Sequence, residues 1–218
     1  MDVAHDGTTW LTVFRKDSHD PHPRPHRHSA PEGSLDTLKA LGARSGKVLN
    51  IHGAMAHSPA VLETYAAIQE ALQDTGTFDG RTREAIALAV GNVDECSYCQ
   101  AAHTAGGKAA GLSESETVDI RRGSVADPKL AALLTLVREQ AANVGHVHDS
   151  TWQGALDAGW SDVELTETAA FVALNLFTNY FNHLGLLSSL TGSACRGMPL
   201  RYGSHFECSP CCVRTQGV

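Results

Sequence analysis

The stretch CSYCQAAH, residues 96–103, sets Cys96 and Cys99 three positions apart, with His103 four further on. Such spacing admits three chemistries: a metal clamp, a disulfide, or a redox centre in which an imidazole handles the proton. On an α-helix, at about 100° per residue, the three side chains fall within an arc of about 60°. A thiol in the first turn of a helix meets the positive end of the dipole and unpaired N–H groups, and both favour thiolate. Cysteines at i and i+3 can also close into a disulfide with little backbone movement, and His103, at i+4 from Cys99, can take or return a proton. The spacing points to a redox dithiol. Asn92, with Glu95 three residues later, reads as the capping box that opens this helix.

Plainer readings stand beside that one. Zinc takes four ligands, and Cys96, Cys99 and His103 supply three; His146, His148 or the C-terminal CSPC, Cys208 to Cys211, would have to complete the set. A cysteine alone behaves as a small hydrophobe, and His103 alone as an ordinary helix histidine. Only the shared face of the three lifts them above this.

The elements around them read as helices. SLDTLKALGARSGKVLNIHG gives a short amphipathic turn or two. Ser58 as N-cap and Pro59 at N1 open the next helix, with Val61, Tyr65, Ile68 and Leu72 as its apolar stripe. REAIALAVGN is nearly all apolar, as suits a helix buried on most sides, and Glu84 lies near its start. Ser113 with Glu116, and Ser161 with Glu164, form capping boxes, and Asp127–Pro128 opens the helix carrying Leu130, Leu133, Leu134 and Val137. HDSTWQGALDAGW is a shorter helix closed near Gly159, and ELTETAAFVALNLFTNYFNHLGLL a long one. No run alternates β-branched and polar residues. The expectation is an all-α helical bundle of about six to eight helices.

Composition bounds the rest. The chain has 218 residues, 42% hydrophobic and 19% charged, enough for a buried core. A net charge of −7 with 17 scattered basic residues argues against nucleic acid. No apolar run reaches the roughly 18 residues of a membrane span, and MDVAHDGTTWLTVF lacks the features of a signal peptide. The expected location is cytoplasmic, where structural disulfides are rare. Residues 1–34, with His19, His22, His26 and His28, read as a disordered arm, 35–190 as the helical domain, and 191–218 as an irregular tail carrying Cys195, Cys208, Cys211 and Cys212.

The run from Glu84 through EAIALAVGNVDECSYCQAAH resembles the signature of the alkylhydroperoxidase D-like branch of the carboxymuconolactone decarboxylase family. That signature is Glu, eleven residues, Cys-x-x-Cys, three residues, His. Glu84, Cys96, Cys99 and His103 match it position by position, and AHSPAVLETYAAI and ALNLFTNYFNHL resemble the flanking helices. The likeness covers about residues 46–190. It implies an all-helical fold, a homotrimer or homohexamer, and thiol peroxidase chemistry on a hydroperoxide. Carried over by residue, Cys99 is the attacking thiolate, Cys96 resolves its sulfenic acid, and His103 with Glu84 forms the proton relay. A dithiol electron donor would restore the thiols; lipoyl groups serve so in the family. No cofactor and no metal are expected. Tyr98 stands where some relatives carry a histidine, and both tails fall outside the likeness. The rival readings are a muconolactone-type decarboxylase, whose branch generally lacks the cysteine pair, and a non-catalytic zinc-binding helical module. His183, in NYFNHL, reads as a core or interface histidine.

Overall fold

In the computed structural model of the chain, residues 30–184 are described, and all their regular structure is helical. A 3-10 turn, Glu32–Ser34, leads into α1 (Leu35–Ser45), followed by α2 (Asn50–Met55), α3 (Pro59–Thr75), α4 (Gly80–Val93) and α5 (Ser97–Ala109). Then come α6 (Glu114–Arg122), α7 (Pro128–Ala142), α8 (Asp149–Asp157) and α9 (Asp162–His183). The all-α class is as expected. The described residues hold nine α-helices, one beyond the expected range, because a segment as short as α2 carries too few turns for periodicity to reveal.

Local signals account for most of the boundaries. Ser113 and Ser161 each accept from the backbone N–H three residues on, and Glu116 and Glu164 return the bond, so both expected capping boxes are formed. Asp127 accepts from Lys129 N–H ahead of Pro128. Ser58 precedes Pro59 as expected, but its side chain makes no capping bond; the proline alone fixes that start. Asp79, unremarked in the sequence, caps α4 by accepting from Thr82 N–H.

Helix α4 lies at the centre and packs against α5, α6, α7 and α9. Residues 85–91 are all buried, which explains a helix apolar on nearly every side. Ile86, Leu88 and Val90 are fully excluded from water, as are Leu133, Leu136 and Val137 of α7. Each such side chain contributes about 1.5–3 kcal/mol of burial. On the far side, α3 meets α9 and α1 and presents Leu62, Tyr65 and Leu72 inward, with Val61 and Ile68 partly buried. Tyr65 O–H lies 3.3 Å from His52 Nε2 and accepts from Gln69 Nε2. Burial without a charged partner holds His52 down to a pKa of about 4.

The expected N-terminal arm enters the described residues only at its end, where Ala30 and Ser34 are buried. His19, His22, His26 and His28, the limit at 190, and Cys195, Cys208, Cys211 and Cys212 lie outside the described residues. Among the described residues no helix is long and apolar enough to cross a membrane.

Candidate functional site

The join between α4 and α5 departs from the sequence reading and builds the site. Asn92 does not cap α5; it lies inside the last turn of α4, where its Oδ1 accepts from the Arg138 guanidinium at 2.8 Å. Helix α4 ends instead at a left-handed residue, Glu95, with φ of 54°. Cys96 N–H donates to Gly91 O at 3.0 Å and Glu95 N–H to Asn92 O at 3.2 Å, the paired bonds of a Schellman motif. Glu95 therefore cannot occupy the third helical position of a capping box. The next residue, Cys96, is itself the N-cap of α5, and its sulfur accepts from Cys99 N–H at 3.3 Å. One helix thus stops and the next starts within three residues, 94–96.

Cys96 and Cys99 are joined by a disulfide, with Cα atoms 5.3 Å apart. Both are buried, at 2% and 3% exposure. Close packing of α5 on α4 seats them. A Cβ on Gly91 would lie 3.4 Å from Cys99 Cβ, so the two helices are in close packing distance at the dithiol.

One turn beyond Cys99 on α5, across the same interface, His103 Nδ1 lies 2.9 Å from Glu84 Oε2. With a carboxylate as partner, Nδ1 carries the proton and Nε2 is left as the acceptor nitrogen. The pair is about one third open to solvent, 32% for His103 and 27% for Glu84. Gly106 makes room for it, because a Cβ there would fall 2.6 Å from Glu84 Oε2. His103 makes no hydrogen bond to either sulfur in this oxidised form.

A residue passed over in the sequence completes the site. Asn182, near the end of α9, donates its amide Nδ2–H to Cys99 Sγ at 3.1 Å. One turn earlier, buried Asn179 donates to Asp94 Oδ2 at 2.7 Å and ties α9 to the α4–α5 join. The available signal was polarity out of place. Asn175, Asn179 and Asn182 interrupt a stripe that otherwise holds Phe171, Val172, Leu174 and Phe181.

Other candidates fall away from this site or apart from one another. Tyr98 lies partly exposed at the start of α5, and its partial burial pushes the phenol pKa up. His183 is exposed in the last turn of α9, rather than lying in the core. His148 stands at the N-cap position of α8 without a side-chain capping bond and pairs with Glu139, and His146 lies exposed in the preceding loop. Among the described residues no group of three or more His, Cys, Asp or Glu side chains is placed to hold a metal ion.

Residues 59–139 match the model of the carboxymuconolactone decarboxylase family. Among solved structures, an uncharacterized peroxidase-related protein from Ralstonia eutropha, described as an alkylhydroperoxidase AhpD core, superposes with a TM-score of 0.63 at 20% identity. The match covers 72% of this chain and 88% of that one. An uncharacterized peroxidase-related protein from a Silicibacter species gives 0.60 at 18% identity, over 75% and 86% of the two chains. A variant of the debrominase Bmp8 in complex with 2,3,4-tribromopyrrole gives 0.59 at 13%, over 71% and 87%. The comparison with curated proteins finds no match. The resemblance read from Glu84, Cys96, Cys99 and His103 thus extends to the family's sequence over residues 59–139 and to the alkylhydroperoxidase D-like fold.

Proposed function

We propose that this alkylhydroperoxidase D-like chain is a thiol-dependent peroxidase that reduces hydroperoxides through Cys96 and Cys99. The observation that carries the reading is the buried Cys96–Cys99 pair on the α4–α5 interface, with the His103–Glu84 pair along the same interface. In the reduced protein, Cys99 thiolate attacks the distal oxygen of ROOH. An S–O bond forms, the O–O bond breaks, and the alkoxide takes a proton and leaves as ROH. Cys96 thiol then attacks the sulfenic acid of Cys99, forming the disulfide and releasing water. An external dithiol donor returns two electrons and two protons, and is itself oxidised to a disulfide.

His103 is the proton carrier in this scheme. It removes the proton of Cys99 and returns one to the departing alkoxide, directly or through one water. Glu84 fixes the ring and stabilises the imidazolium while the proton is held. Cys96, within a bonding distance of Cys99, intercepts the sulfenic acid before further oxidation. Assembly into a homotrimer or homohexamer belongs to the same reading, and the exposed apolar side chains of Tyr98, Tyr180 and Leu184 supply surface for it.

A second reading draws on the fold shared with the debrominase: the same dithiol could reduce a halogenated aromatic instead. One assay separates them. Supplied with a dithiol donor, the protein should consume an alkyl hydroperoxide, release no bromide from 2,3,4-tribromopyrrole, and lose turnover in Cys99→Ser. Undiminished peroxide consumption by Cys99→Ser would overturn the proposal, and bromide release without peroxide consumption would favour the second reading.

A further inference from the structure

The two sulfurs are not equivalent, yet a helix N-terminus alone would favour the wrong one. Cys96 is the N-cap of α5 and already accepts Cys99 N–H at 3.3 Å, an arrangement that draws negative charge to Cys96. The attacking role assigned above to Cys99 therefore needs a counterweight. Asn182 supplies one. Its Nδ2 lies 3.1 Å from Cys99 Sγ but 4.0 Å from Cys96 Sγ, so the amide discriminates between the two.

The rest of that amide makes the contact telling. Asn182 Oδ1 is buried and has no hydrogen-bond partner among the described residues, so the side chain's bonds run to sulfur. A buried carbonyl oxygen left without a partner is costly, and an apolar residue would avoid that cost. The rotation that would turn Oδ1 toward Cys99 would set oxygen lone pairs against a thiolate. The donor orientation is the one that suits a charged sulfur. Buried Asn179, anchored on Asp94 in the loop that carries Cys96, holds this end of α9 in register with the dithiol.

We infer that Asn182 assigns the two sulfurs their roles: its amide N–H holds the negative charge on Cys99 and leaves Cys96 as the resolving thiol. Reduction of the disulfide by a dithiol donor adds two electrons and two protons across the S–S bond. When one proton then leaves, the charge settles on the sulfur with the better donor. Asn182 touches the reacting atom and is a catalytic residue of this scheme. The inference rests on the peroxidase reading for what Cys99 goes on to do, but not for how the charge is divided.

Limited alkylation tests it without any hydroperoxide. The reduced full chain is treated briefly with substoichiometric iodoacetamide at neutral pH, and the label on Cys96 and Cys99 is counted by peptide mass. The parent should label Cys99 ahead of Cys96, and Asn182→Leu should shift the ratio toward Cys96 by about tenfold or more, the worth of a hydrogen bond to a charged group. Asn182→Asp keeps the shape but sets a carboxylate beside the sulfur, so it should shift the ratio the same way even if the leucine variant fails to fold. A parent that labels Cys96 first, or a ratio unmoved in folded Asn182→Asp, would overturn the inference. A parent inert to hydroperoxide would overturn the peroxidase reading and leave this ratio to decide Asn182 independently.

Discussion

His103 Nδ1 and Glu84 Oε2 stand 2.9 Å apart across the α4–α5 interface, nineteen positions apart in sequence. Because both side chains are partly open to water, the pair adds little to stability. In the proposed peroxidase its worth lies in the orientation it gives the ring. His103→Ala should slow peroxide-driven oxidation of the dithiol by about 10²-fold, and Glu84→Gln by roughly tenfold. Urea midpoints should stay close to the parent. Stopped-flow thiol loss against hydroperoxide measures both, and parental rates would reduce the pair to scaffold.

Gly106 offers a test that leaves Glu84, Cys96, Cys99 and His103 in place. A methyl there would lie within 2.8 Å of the Glu84 carboxylate carbon and both of its oxygens. The carboxylate is the end of a flexible chain, so it should swing aside rather than unfold the helix pair. Gly106→Ala is expected to fold, lose the His103 contact and fall to the rate of Glu84→Gln. A parental rate in Gly106→Ala would mean that the carboxylate need not stay where it is.

Glu95 adopts φ of 54° to end α4, a conformation that costs a residue with a Cβ about 1–2 kcal/mol. Part of that is returned in the unfolded chain, where glycine is the more flexible residue. Glu95→Gly should therefore raise unfolding stability by up to about 1 kcal/mol. Chemical denaturation reads this directly. A loss of stability would show that the Glu95 side chain does something the backbone does not reveal.

Much of this fold is legible in the sequence because the signals are local. The capping boxes at Ser113 and Ser161, the proline starts at 59 and 128, and the apolar run of α4 each depend on neighbours within four residues. Reading Asn92 and Glu95 as a third capping box failed for a physical reason. Asn92 is engaged by Arg138, 46 positions away, while a Schellman motif sets the backbone of Glu95. The spacing of Glu84, Cys96, Cys99 and His103 was visible because one helical hairpin carries all four. Asn182 was not, because its partner sulfur lies 83 positions earlier.

His52 predicts a pH dependence of stability unrelated to the dithiol. Its pKa is about 4 in the fold, against an ordinary 6.5, because burial disfavours the charged ring. Between those values the unfolded chain binds a proton that the native protein does not, so unfolding stability rises with pH. The contribution is fully present above pH 6.5 and is lost as pH falls toward 4, to a limit of about 3 kcal/mol. His52→Gln should flatten that part of the profile of urea midpoint against pH. Parallel profiles for parent and variant would show that His52 is not buried as described.

If Cys96 and Cys99 pass two electrons to a hydroperoxide, a count of thiols must show it. The reduced chain, with six cysteines, is titrated before and after one equivalent of an alkyl hydroperoxide, and the product is mapped by mass. The predicted result is the loss of two thiols per chain with a new Cys96–Cys99 disulfide, and no such disulfide in Cys99→Ser. All six thiols surviving the hydroperoxide, or two being lost with Cys96 and Cys99 still free, would rule this chemistry out.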